Sequence, residues 1–169
     1  SAASDVYKRQ TRFKQKIGQN VNLLGEVVLG NGEADHRYFL YLEALEAPDI
    51  NYISVKISGI YAQTHALNYE ESFPELVKRM CALYQKAIDF PYVDENGVKR
   101  SKFVNLDMEE YKDAHFTLRL FKKVLSRPEF KNYSAGIVVQ AYLPDAYEFQ
   151  TELLEFAKAR VADGGAPLK

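Results

Sequence analysis

The chain has 169 residues, 47% of them hydrophobic and 27% charged, with a formal net charge of −1. That is enough for one ordinary domain with a real core, and the near-neutral balance gives no footprint for a nucleic-acid or acidic-surface partner. The one cysteine, Cys81, lies in an apolar helical pattern, which excludes a disulfide framework or a cysteine metal site and reads as a small buried hydrophobe. No run approaches the roughly 18 apolar residues of a membrane span, and no secretory signal is visible.

In chain order, the opening "SAASDVYKRQ" is polar and aperiodic and resembles adaptor-derived sequence. Residues 1–17 are therefore set apart as a leader, non-native at least over 1–10. Periodicity then alternates between strand and helix four times. "NVNLLGEVVLG" (20–30) is a predicted strand and "EADHRYFLYLEAL" (33–45) a helix through Phe39, Leu42 and Leu45. "YISVKISGI" (52–60) is the second strand. The helix over 72–88 opens with a Ser72-x-x-Glu75 capping box and a proline in its first turn. A polar turn with an Asn-Gly step (93–100) leads to the third strand, "KFVNLDM" (102–108), and a helix over 114–126. "AGIVVQAYL" (135–143) is the fourth strand. Asp145, with Glu148 at the matching box position, caps a helix over 146–162 that Gly164 and Gly165 terminate. Four strand–helix repeats with right-handed crossovers give an α/β fold with a parallel sheet. The choice is between a doubly wound sheet and part of a (β/α)8 barrel, and the lack of a glycine-rich phosphate loop after the first strand weakens the former. The chain stops where another strand is due, so it is expected to be a fragment.

Strand side chains alternate between faces. Ile53, Val55 and Ile57 share one side and Ser54, Lys56 and Ser58 the other. Val104, Leu106 and Met108 oppose Asn105, Asp107 and Glu109. Asn22, Leu24 and Glu26 share a side, as do Val138, Gln140 and Tyr142. Doubly buried strands read as continuous apolar runs, yet each strand here carries one polar residue: Glu26, Lys56, Asp107 and Gln140. Burying such groups unpaired costs several kcal/mol, on the order of 2–7 for a neutral one. Four expected in register imply one polar wall at the strand C-terminal ends, where barrel catalytic residues sit, with Glu109 and Glu110 in the loop beyond. Two acids flanking a lysine make a poor metal site. His36, His65 and His115 fall in a helix, a loop and a helix start, and read as surface or satisfied groups. Ser54 and Ser58 have no apparent base partner, and Tyr38 and Tyr41 read as helix packing.

The ordered motifs "NLLGEVVLG", "ISVKIS", "FVNLDMEEYKD" and "GIVVQAYLPDA" closely resemble the proline dehydrogenase family, over about residues 18–169. The likeness is nearest to the bifunctional proline utilization A type, which joins this activity to a glutamate-semialdehyde dehydrogenase. The resemblance implies a distorted (β/α)8 TIM barrel, of which 18–169 is the first half, about four β/α units. It also implies FAD as cofactor and oxidation of L-proline to 1-pyrroline-5-carboxylate. Residue by residue, Lys56 matches the lysine that pairs with the substrate carboxylate, and Asp107 the aspartate beside substrate and flavin. Gln140 matches a glutamine on the flavin ring, with Met108, Val138 and Val139 nearby. Glu26 matches a glutamate that pairs with a substrate-binding arginine. The resemblance further implies a quinone acceptor, a bacterial cytoplasmic location and peripheral association of the full-length protein with the inner membrane. The later arginines of the family pattern and most FAD diphosphate contacts are missing from this sequence, so the fragment alone is expected to be inactive. Two other readings stay open from the residues: a barrel aldolase with Lys56 as Schiff-base nucleophile, and a non-catalytic scaffold.

Overall fold

A computed structural model describes residues 11, 20–22, 31–61, 69–108, 114–140 and 145–169. Its main sheet is built from β1 (Asn20–Asn22), β2 (Tyr52–Lys56), β5 (Phe103–Asp107) and β6 (Gly136–Ile137), in that spatial order. All neighbours are parallel. The connections carry α1 (Asn31–Glu46), α2 (Tyr69–Asp89) and α3 (Ala114–Leu125), and α4 (Ala146–Ala162) follows β6. A small antiparallel hairpin, β3 (Tyr92–Val93) and β4 (Lys99–Arg100), sits between α2 and β5. Asp94 organises it, accepting from the backbone N–H of Asn96 and of Val98, both at 2.9 Å, and pairing with Arg100. The arginine holds the Asp94 carboxyl below its usual pKa.

Helices cover one face of the sheet. Ile53, Val55, Val104, Leu106 and Ile137 from that face pack with Leu76, Met80, Leu83 and Tyr84 of α2 and with Leu120, Phe121 and Val124 of α3. Each such side chain contributes about 1.5–3 kcal/mol by leaving water. The α2 stripe runs as its spacing predicts, but the helix starts at Tyr69, so the expected Ser72–Glu75 box lies inside it. Ser72 is buried there, 2% exposed. Its role is internal because the backbone was already helical one turn earlier.

In α1 the buried positions are Ala34, Tyr41 and Leu45, while Phe39 is 58% exposed. Leu45 is buried and Leu42 packs against the core as the spacing predicts, and Tyr41 takes the place expected of Phe39. The fourth crossover also departs from expectation. Asp145 occupies the N-cap of α4 but makes no side-chain capping hydrogen bond, because its backbone (φ −92°, ψ 11°) is not in the extended form that aims a cap inward. The helix end does follow expectation. Gly164 adopts φ 79°, and the N–H groups of Gly164 and Gly165 bond to the carbonyls of Val161 and Arg160.

Two cations tie the outer layer to the sheet through backbone carbonyls. Arg160 of α4 donates to Leu125 O at 2.6 Å, Lys131 O at 2.8 Å, Tyr133 O at 2.9 Å, Ala166 O at 2.9 Å, and to Phe130 O. One guanidinium thus joins the end of α3 to the segment leading into β6. Lys102, 1% exposed just before β5, donates to Leu45 O at 2.7 Å and Ala47 O at 2.6 Å at the end of α1. Burial pushes its ammonium pKa down.

Lys102→Met strands both carbonyls and should lower stability by about 1–3 kcal/mol in urea denaturation at neutral pH. Because the folded pKa lies below the usual 10.5, the unfolded chain binds more protons between the two values. The wild-type advantage over Lys102→Met should therefore widen as pH rises through that window.

Candidate active site

The register of β2 and β5 places Tyr52 opposite Phe103, Ser54 opposite Asn105 and Lys56 opposite Asp107. Partners in a parallel ladder share a face, with strands about 4.8 Å apart. The face turned away from the helices is therefore a ladder of three rungs. The first is aromatic: the Tyr52 and Phe103 rings meet edge-on with centroids 5.0 Å apart. The second is small and polar: Ser54 is 3% exposed and Asn105 7%. The third carries both charges, Lys56 and Asp107, half-buried at the last residues of their strands. Strand β2 stops there because Ile57–Gly59 turns into a 3-10 helix, so Lys56 stands at the C-terminal lip of the sheet.

Strand β6 enters this ladder with Gly136 opposite Asn105 and Ile137 opposite Leu106. The Val138 N–H donates to Leu106 O at 3.0 Å, which extends the pairing by a residue. Val138 is thus the neighbour of Asp107, and it is 41% exposed, an apolar side chain presented beside a carboxylate. Gln140 falls two residues further along than the expected common level, because β6 is offset relative to the polar positions of the other strands. Its amide Nε2 lies 3.5 Å from Met108 O.

Of the sequence-derived site residues, the structure brings together Lys56, Asp107 and Val138 at the strand ends, with Gln140 two residues beyond them. The Met108 side chain turns to the other face and packs with Ala114, Leu118 and Phe149, leaving its backbone carbonyl toward Gln140. Glu26, Glu109 and Glu110 lie outside the described residues, as does His65. His36 and His115 are exposed on helices, His115 with its ring 6.2 Å from Phe149. Among the described residues no group of three histidine, cysteine or carboxylate side chains could hold a metal ion, and no helix is long and apolar enough to cross a membrane. Cys81 is half-buried in α2, and burial pushes its thiol pKa up.

Sequence reasoning put Asn105 on the Asp107 side but gave it no part. In the structure its Nδ2 donates to Asp107 Oδ1 at 2.6 Å. The i, i+2 spacing in "FVNLD" was the available signal.

A model of the proline dehydrogenase family matches residues 6–168. The chain belongs to the proline dehydrogenase family. Its match begins at residue 6, inside the segment set apart from the sequence. Solved structures agree. Proline utilization A (PutA) from Corynebacterium freiburgense is 41% identical with a TM-score of 0.84, covering 97% of this chain and 16% of that one. PutA from Bdellovibrio bacteriovorus inactivated by N-propargylglycine is 30% identical with a TM-score of 0.76, covering 96% of this chain and 18% of that one. A PutA variant from Bradyrhizobium japonicum, 23% identical with a TM-score of 0.70 over 83% of this chain and 15% of that one, shares the fold. The chain thus spans less than a fifth of the length of these proteins. No curated protein matches it.

The two faces of β2 make opposite demands on stability. Val55→Ala should cost about 2 kcal/mol as a core truncation, and Lys56→Ala less than about 0.5 kcal/mol, in paired urea melts. Equal losses would contradict the assignment of faces.

Proposed function

We propose that residues 18–169 form the first half of a (β/α)8 barrel in an FAD-dependent proline dehydrogenase that oxidises L-proline to 1-pyrroline-5-carboxylate. The single observation that carries this reading is the register that sets Lys56 beside Asp107 at the strand ends of a face free of helices among the described elements. Two further facts support the barrel. The strands follow chain order without reversal, whereas a doubly wound sheet reverses at its switch point. On the far side of β6, Lys169 exchanges hydrogen bonds with the backbone of Ala135 and Ile137, each 3.1 Å, as a next parallel strand would.

Proline is a zwitterion, and the Lys56–Asp107 rung offers one partner to each end. Lys56 pairs with the carboxylate, a charge-assisted contact strengthened where water is thin. Asp107 faces the ring nitrogen. Once the ring ammonium has released a proton to solvent, the nitrogen lone pair drives hydride from the adjacent carbon. Positive charge gathers on the forming C=N bond, and a fixed carboxylate stabilises it. Asp107 is in this reading an electrostatic and orienting group, not an essential base.

The chemistry of the strand ends fits the ring of FAD. The exposed Val138 offers an apolar surface, and Gln140 an amide able to donate and accept at a ring edge. FAD, when bound, supplies the two-electron acceptor for the hydride. Glu26 completes the reading as the partner of a substrate-binding arginine supplied by later sequence. A quinone as final acceptor, a bacterial cytoplasmic setting with peripheral membrane attachment, and a following glutamate-semialdehyde dehydrogenase domain belong to the same proposal and rest on likeness to PutA.

The test is anaerobic addition of L-proline to the chain joined to the rest of its catalytic domain and loaded with FAD. The flavin band should bleach, and Lys56→Ala should lower kcat/KM for proline about 100-fold, a loss of roughly 2.7 kcal/mol in transition-state binding. The 169-residue chain alone should retain no stoichiometric flavin. A loaded domain whose band ignores L-proline would overturn the reading, and tight flavin in the short chain would overturn its incompleteness.

A further inference from the structure

We infer that Asn105 is a positioning residue for Asp107, and that Gly136 on the neighbouring strand exists to make room for it; this rests on the proline-oxidation reading above. Asn105 and Asp107 are two residues apart on β5 and so point to the same face. The bond between them is short for an amide donor, 2.6 Å, and a carboxylate can only accept, so the amide NH2 must turn toward Asp107. That orientation aims the amide oxygen of Asn105 across the ladder at Gly136. A Cβ built on Gly136 would lie 2.7 Å from Asn105 Oδ1 and 2.5 Å from Phe103 Cζ. Any other residue at 136 would therefore push against both the amide and the aromatic rung beneath it.

The arrangement has a chemical consequence. Asp107 stands half-buried at the last residue of its strand, where a carboxylate has several rotamers within reach. Asn105 is nearly buried, 7% exposed, and ties one carboxylate oxygen in place. Fixing the anion before substrate arrives removes an ordering cost from each binding event, the general gain from preorganisation. The effect falls on the ligand atom that Asp107 faces, the ring nitrogen, and not on the carboxylate held by Lys56. Asn105 thus governs recognition of the amine selectively.

The test compares L-proline with cyclopentanecarboxylate, a ring of the same size bearing the carboxylate but no nitrogen. Both are measured on the FAD-loaded catalytic domain that contains this chain. Asn105→Leu keeps the volume and deletes the donor, and Asn105→Ser keeps a polar rung too short to reach. Each should lower kcat/KM for L-proline at least tenfold. The dissociation constant of cyclopentanecarboxylate, followed by perturbation of the flavin spectrum, should stay within twofold. Gly136→Ala, which leaves both side chains chemically intact, should give the same split.

Equal weakening of both ligands would overturn the inference in favour of a purely structural Asn105, and unchanged proline kinetics in a folded variant would overturn it outright. Wild-type protein whose flavin is not reduced by L-proline would bring down the proline-oxidation reading and this inference with it. Turnover by wild type without the ligand split in the variants would remove only the role of Asn105.

Discussion

Everything in this molecule hangs on the two-residue period of a parallel ladder held in one register. With Tyr52 fixed opposite Phe103, the next partners are decided: Ser54 meets Asn105 and Lys56 meets Asp107. A one-residue slip of β2 would send Lys56 into the apolar layer beneath α2 and α3 and bring Val55 to the opposite face, and a slip of β5 would do the same to Asp107 and Leu106. The charges alone would make that arrangement untenable, since an unpaired ion in the core costs several kcal/mol. The core thus enforces the register, and the register assembles the site. Stability and chemistry are settled by the same constraint on opposite faces of one sheet.

The helical layer is held in place by a second device, the binding of backbone carbonyls by a buried lysine and a half-buried arginine. Lys102 closes the end of α1 immediately before β5 begins, so the strand that carries Asp107 starts from a fixed point. Arg160 does the same for the end of α3 and the approach to β6. Tyr133 adds a link by donating to Lys102 O at 3.0 Å, which connects the two clamps. These contacts set where β5 and β6 enter the ladder, and hence which residue, Val138 and not Gln140, stands beside Asp107.

Much of this was legible in the sequence where periodicity was the governing physics. The alternation in "YISVK" and "FVNLD" assigned faces that the packing of Ile53, Val55, Val104 and Leu106 with the helices bears out. The helices after the second, third and fourth strands were visible in their apolar spacing, and the terminating role of Gly164 in its residue type. What could not be read was whatever depends on offset between strands. Gln140 seemed level with Asp107 because each sits late in its strand, yet register is set by cross-strand bonds that sequence spacing does not encode. Local capping failed for a related reason: Ser72 and Asp145 have suitable side chains, but backbone geometry set by tertiary packing decides whether they cap. The Lys102 clamp left no local signal, because its partners lie 55 and 57 residues away in the chain.

The central claim is that the face of the sheet turned away from α1–α4, at the Lys56–Asp107 rung, is where substrate binds. A crystal structure of the FAD-loaded catalytic domain with bound cyclopentanecarboxylate tests it most directly. The account predicts the ligand carboxylate within hydrogen-bonding distance of Lys56 Nζ, with the ring lying over the Val138 side of the rung. A ligand bound on the helical side, or held at the strand ends with Lys56 turned away, would contradict it.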